Sequence, residues 1–114
     1  MSTELQMREK RRGERVLIRV PVKVRGVAQD GREVTETAET AVVSRYGALL
    51  CLPTLLKIGS TVNVTNGFSQ EAEQFRVAWL ADKQTDGRWD TGIEALNPRD
   101  DFWGIRFPPR DRKA

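Results

Sequence analysis

The sequence predicts an all-β domain, a barrel or a sandwich, and three observations carry that prediction. Val16, Ile18, Val20, Val22 and Val24 alternate with Leu17, Arg19, Pro21, Lys23 and Arg25, the two-residue period of a half-buried strand. Turn dipeptides recur along the chain, at Asp30-Gly31, Asn66-Gly67 and Asp86-Gly87, and each is a hairpin signal between apolar runs. No long stretch carries the 3.6-residue period of an amphipathic helix.

Taken in order, the first strand spans Val16 to Arg25, with Pro21 on its outer face marking an edge position or a bulge. The second runs from Glu33 to Val43, rich in threonine and with a charged outer face. Ser44-Arg45-Tyr46-Gly47 breaks the pattern, and Gly47 is suited to a positive φ there. A third strand, Ala48 to Leu52, is ended by Pro53, and Leu55 to Gly59 lead into a fourth, Ser60 to Thr65. The fifth, Gln74 to Ala81, places Phe75, Val77 and Trp79 on one face, so that Trp79 is expected to fill the interior. Trp89 to Leu96 form the sixth, stopped by Asn97-Pro98. The stretch Asp100 to Ile105 fits one helical turn, with Trp103 packing the tail against the body. Six short strands at regular spacing are the mark of a barrel or sandwich.

A chain of 114 residues suits one domain, since at this size about two thirds of the unfolded surface is buried. Residues 1–15 hold little to bury and read as a flexible basic arm, residues 16–108 as the folded body and residues 109–114 as a polar tail. The formal net charge is +3 and unevenly spread: residues 1–25 hold eight Lys/Arg against three Glu, leaving 11 cations against 13 carboxylates, or −2, for the remainder. A basic front on a mildly acidic body suggests an anionic partner met by the arm. The acidic body and an aromatic content of 7% argue against a general nucleic-acid binder. No apolar run approaches the ~20 residues of a membrane span. The polar start, Met1 to Lys10, does not read as a secretory signal, and with one cysteine the expected compartment is the cytoplasm. That cysteine, Cys51, lies in an apolar run and is expected to be buried packing.

The chain contains no histidine, the side chain best suited to proton transfer near neutral pH and the commonest transition-metal ligand. With one cysteine besides, neither a Ser-His or Cys-His pair nor a zinc site can be assembled. Asp82, Asp86 and Asp90 lack the glycine and terminal glutamate of a calcium loop, and the adjacent Asp100 and Asp101 fit a solvated loop or a cap. The sequence therefore reads as a binding protein and not an enzyme. Of the three tryptophans, Trp89 stands beside a turn among polar neighbours and is the best candidate for stacking on a base.

Two short constellations carry the binding chemistry. Arg11-Arg12-Gly13-Glu14-Arg15 lies where the arm meets the first strand; guanidinium forks grip phosphates bidentately, pair with guanine O6 and N7, and stack on base faces. Ser44-x-x-Gly47 lies between the second and third strands, with a hydroxyl for a phosphate or base and a glycine that lets a ligand approach the backbone. Alone, the first also fits a solvated basic tail and the second an ordinary turn.

In this order and spacing the two constellations resemble the PilZ family of cyclic di-GMP receptors, whose pattern is R-x-x-x-R followed, about thirty residues on, by D/N-x-S-x-x-G. Arg11-x-x-x-Arg15 fits the first part, with Arg8-x-x-x-Arg12 as a second register, and Ser44-x-x-Gly47 fits most of the second. Thr91-Gly92-Ile93-Glu94 and Phe102 to Pro108 also look like segments found near the end of these domains. The resemblance spans roughly residues 8–108. It implies a six-stranded antiparallel β-barrel with a short C-terminal helix, no catalysis and no cofactor beyond the ligand itself. It also implies an arm that closes over cyclic di-GMP and so signals to an effector protein. By position, Arg11, Arg12 and Arg15 would grip guanine and phosphate, Ser44 would bind phosphate or base, and Gly47 would shape the loop. The departure is Val42, where the family has Asp or Asn. Guanine donors left unpaired there would cost on the order of 1–3 kcal/mol, roughly a ten- to hundredfold loss in affinity, unless a carboxylate such as Glu39 or Asp30 compensates. The alternative is a barrel that has lost the ligand and serves as a protein-interaction module.

Overall fold

The computed structural model describes residues 15–99 and 101–105. Most of the expected arm, with Arg11 and Arg12, and the expected tail lie outside them. Six antiparallel strands form a closed barrel: β1 (Pro21–Val27), β2 (Glu33–Ser44), β3 (Gly47–Leu52), β4 (Thr61–Asn66), β5 (Ala72–Leu80) and β6 (Trp89–Ala95). Their order around the barrel is β1-β2-β3-β6-β5-β4, and β4 pairs back onto β1 to close it.

Alternation explains the core. Val22 and Val24 of β1 point inward, as do Val62 and Val64 of β4, each at most 1% exposed, while Lys23 and Arg25 face solvent. Burial of branched side chains of this kind contributes about 1.5–3 kcal/mol apiece. The loop 53–60 crosses one end of the barrel. Backbone bonds tie Gln29 to Leu55 and Lys57 to Val27, and the loop's own Leu56 is fully buried. At the opposite end Phe102 and Trp103, each 3% exposed, pack on Phe75 and on each other, with ring centroids 4.8–6.0 Å apart.

The residues bracketing this second end are fixed by their side chains. Asn66, 1% exposed, donates through Nδ2 to the Phe102 carbonyl (2.8 Å) and accepts the Phe68 N–H through Oδ1 (2.8 Å). Arg99 makes ion pairs with Glu73 (2.6 Å), Asp101 (3.2 Å) and Glu71, and lies 5.7 Å from the Phe102 ring centroid. Its three carboxylate partners raise the guanidinium pKa further above its ordinary value.

Several expectations are corrected. The ladder of the first strand begins at Pro21, not Val16, because between the Pro21–Glu39 and Val16–Val43 pairs the entry segment carries one residue more than β2 and the register slips. The buried Thr40 hydroxyl spans the gap, donating to the Ile18 carbonyl (2.6 Å) and accepting the Val20 N–H (2.8 Å). A bulge between Val77 and Trp79 of β5 places two residues opposite one and reverses the alternation. Trp79 is therefore thrown outward, 50% exposed, instead of filling the interior. The helical turn expected near residue 103 is a hydrogen-bonded turn from Asp101 to Gly104, and no helix occurs among the described residues. The Phe102 carbonyl is taken by Asn66, so it does not serve a helical ladder. Cys51 is half-buried on the outer face, not in the core, because β3 pairs it outward with Glu39 and Asp90. Burial first, and then the Asp90 carboxylate 3.6 Å from its Sγ, push the thiol pKa up.

Candidate ligand site

β2 and β3 are joined by a two-residue turn, Arg45-Tyr46, with Ser44 and Gly47 paired at its base. Neither central residue has positive φ, so this is not one of the primed turns that usually close such hairpins. The Ser44 side chain shapes it instead, its Oγ accepting the Tyr46 N–H at 3.1 Å. The Tyr46 carbonyl accepts the Ala95 N–H at 2.7 Å and fastens the turn to β6.

Gly47 is a glycine for reasons of space. Its φ is not in the positive region expected of it; a Cβ there would lie 2.0 Å from the Ile93 carbonyl oxygen. The β6 backbone crosses directly beside it, as the pairing of Gly47 with Glu94 requires.

The chain enters the barrel at this same turn. Val16 and Val43 exchange both backbone hydrogen bonds, at 2.8 and 2.9 Å. In this antiparallel pair the preceding residue, Arg15, stands in register opposite Ser44. Arg15 is exposed. Three of the five expected site residues, Arg15, Ser44 and Gly47, thus meet at one corner of the barrel, with Arg11 and Arg12 just upstream and outside the described residues.

Two lateral rows of outward residues cross the strands here. One is Ser44–Gly47–Glu94–Arg76, in which Arg76 Nη2 donates to Glu94 Oε1 at 2.7 Å. The next is Val42–Leu49–Gly92–Trp79. Leu17, 84% exposed, follows the Val16 bridge at the Val42 end. At the other end Trp79 packs over Gly92, whose missing Cβ would meet the Trp79 Cβ at 3.2 Å. Val42 therefore belongs to an apolar belt that wraps about half the barrel. Neither expected compensating carboxylate joins Ser44. Glu39 is paired with Arg19 at 3.1 Å, and Asp30 is held by Arg32 in the β1–β2 turn. The Arg32 backbone N–H and then its side chain lower the Asp30 pKa.

Trp89, the expected stacking residue, is half-buried and pairs with Leu52, whereas Trp79 offers the more exposed indole. Glu94 and Arg76, which share the Ser44 row, were not singled out from the sequence. Glu94 stands in Thr91-Gly92-Ile93-Glu94, read only as a marker of the fold; its place in the Ser44 row follows from strand order. Among the described residues no group of three metal-ligating side chains converges, and no helix is long and apolar enough to cross a membrane.

Among solved structures, the chain is similar to the PilZ domain of CeSA from a cellulose synthesizing bacterium. The two are 21% identical with a TM-score of 0.51, and the match covers 75% of this chain and 83% of that one. The fold is PilZ-like. No family model and no curated protein matches the chain.

Proposed function

We propose that this domain is a cytoplasmic, non-catalytic adaptor that binds cyclic di-GMP at the corner formed by Arg15, Ser44 and Gly47. The observation that carries this reading is the Val16–Val43 backbone pair, which brings the arginine at the root of the arm into register with the Ser44-x-x-Gly47 turn. A PilZ-like barrel supplies the context, since that family is one of cyclic di-GMP receptors. In this arrangement Arg15 grips a phosphate or guanine, and Arg11 and Arg12 close on the ligand from the arm. Gathering the arm onto the ligand changes the surface offered to an effector protein, and the two arm positions are the two states that ligand and partner both bias.

Isothermal titration with cyclic di-GMP tests the reading. Saturable micromolar or tighter binding is expected, with Arg15→Ala weakening it at least tenfold while the barrel's melting temperature stays unchanged. Unaltered affinity in Arg15→Ala would refute the site.

One observation favours a second reading, a ligand-independent protein-interaction module. Val42 lies in the apolar belt with Leu49 and the exposed Leu17 and Trp79, and exposed apolar patches rimmed by polar residues mark protein contacts. A flat titration with the wild-type domain decides for it.

A further inference from the structure

We infer that the outer face of β1, with its neighbours β2 and β4, is a docking surface for an extended acidic segment of a partner protein. This goes beyond the cyclic di-GMP reading and does not depend on it, because β1 and β4 lie across the barrel from β3 and β6, where the Ser44–Gly47 turn is fastened.

Two lateral rows make the face, Thr37–Lys23–Thr65 and Thr35–Arg25–Asn63, each with a cation on β1 between neutral residues of β2 and β4. All are exposed except Thr65, which is half-buried. Elsewhere the arginines beside the strands are matched to carboxylates: Arg19 to Glu39, Arg76 to Glu94, and Arg99 to Glu71 and Glu73. Among the described residues Lys23 and Arg25 make no ion pair or side-chain hydrogen bond. The carboxylates of β2 do not neutralise them. Glu39 is held by Arg19, Glu36 accepts the Thr54 hydroxyl at 2.6 Å, and Glu33 stands a row beyond, opposite Val27.

The spacing selects the partner. Lys23 and Arg25 are two residues apart on one strand, so their Cα atoms lie about 6.6–6.8 Å apart, the period at which any extended peptide presents side chains on one face. A segment with carboxylates at alternate positions sets one against each cation. The threonine hydroxyls and the Asn63 amide beside them can donate to the remaining carboxylate oxygens. At the Pro21 end the face passes onto an apolar knob. Gly67 packs on Pro21, its N–H donating to the Pro21 carbonyl at 2.7 Å, and the next residue, Phe68, is 73% exposed. The segment that fits therefore continues into an apolar residue. A pair of cations suits such a short segment. Nucleic acid draws its affinity from many phosphate contacts and successive stacking aromatics, and a lipid surface needs a broad apolar face.

The test follows the backbone amide signals of the isotope-labelled full chain by NMR as three probes are added: a peptide of Glu-Thr repeats ending in leucine, a short thymidine oligonucleotide, and phosphatidylglycerol vesicles. The peptide should move the signals of Lys23, Arg25, Asn63, Thr65 and Phe68, and bind more weakly as salt rises. Lys23→Thr with Arg25→Thr, which gives both positions the residue type of their neighbours, should weaken it about five- to tenfold and leave the rest of the spectrum unchanged. Lys57→Thr with Lys83→Thr removes the same charge elsewhere and should leave the affinity as it was. Peptide shifts confined to the Ser44 corner, equal weakening by the two double variants, or no shift at all would overturn the proposal. So would an oligonucleotide or vesicle that engages β1 more tightly than the peptide does.

Discussion

Replacing Thr40 with valine probes how the entry segment is held against the barrel. The side chain is 1% exposed and its hydroxyl makes two hydrogen bonds, to the Ile18 carbonyl at 2.6 Å and from the Val20 N–H at 2.8 Å. Valine has nearly the same shape, so the change removes those bonds without opening a cavity. Val20 is 1% exposed, and its N–H would be left without a partner; Ile18 is half-buried, so water can replace part of what its carbonyl loses. Each buried unsatisfied group costs about 1–3 kcal/mol, giving about 2–4 kcal/mol in all. With a urea m-value of about 1.5 kcal/mol per M for a domain of this size, the unfolding midpoint should drop by about 1.3–2.7 M. Thr40→Ser keeps the hydroxyl and loses a methyl, worth about 1 kcal/mol, or about 0.7 M. Amide exchange at Val16 should quicken in Thr40→Val, because its pairing with Val43 lies just beyond the Thr40 anchor. A Thr40→Val midpoint within about 0.3 M of wild type, or a Thr40→Ser variant less stable than Thr40→Val, would refute the assignment of these bonds.

Gly47→Ala forces a methyl to within 2.0 Å of the Ile93 oxygen. An overpacking cost of about 1–3 kcal/mol or more should lower the melting temperature by more than about 5 °C, and an unchanged melting curve would show that β3 and β6 can separate locally at no cost. Cys51, whose thiol is pushed up by burial and by Asp90, should hold less thiolate at pH 8 than an unstructured cysteine and react more slowly with iodoacetamide. Asp90→Asn should speed alkylation without reaching the unstructured rate, because burial, the larger cause, remains; an unaffected rate would exclude Asp90 as a contributor.

Much of the architecture was legible in the sequence because strand alternation and turn chemistry are local. Six strands appear in the expected order, the first starting later than its periodicity places it, and Asp86-Gly87 forms its hairpin turn with both residues at positive φ. What escaped is set by closure of the barrel. The bulges near Ala41 and Ala78 are features of pairing between strands, and no local pattern announces them; the second turns Trp79 outward. Asn66-Gly67 was legible as a turn, but the asparagine serves chiefly through a buried side chain that binds residues far along the chain. At the site, Ser44 and Gly47 could be singled out by type and spacing. That Glu94 lies in their row could not be read, because only the β3–β6 pairing reveals it.

Closure of the barrel also limits how a partner protein can dock. A sheet with a free edge can accept an extended peptide as an added strand, with backbone hydrogen bonds supplying affinity for almost any sequence. Here β4 returns to β1, so each of the six strands has neighbours on both sides. Strand addition to the barrel is closed off, and with it both promiscuous capture of peptides and edge-to-edge self-association. A partner would have to recognise side chains, those of the outer rows, and its selectivity would then be written in those residues and not in the backbone.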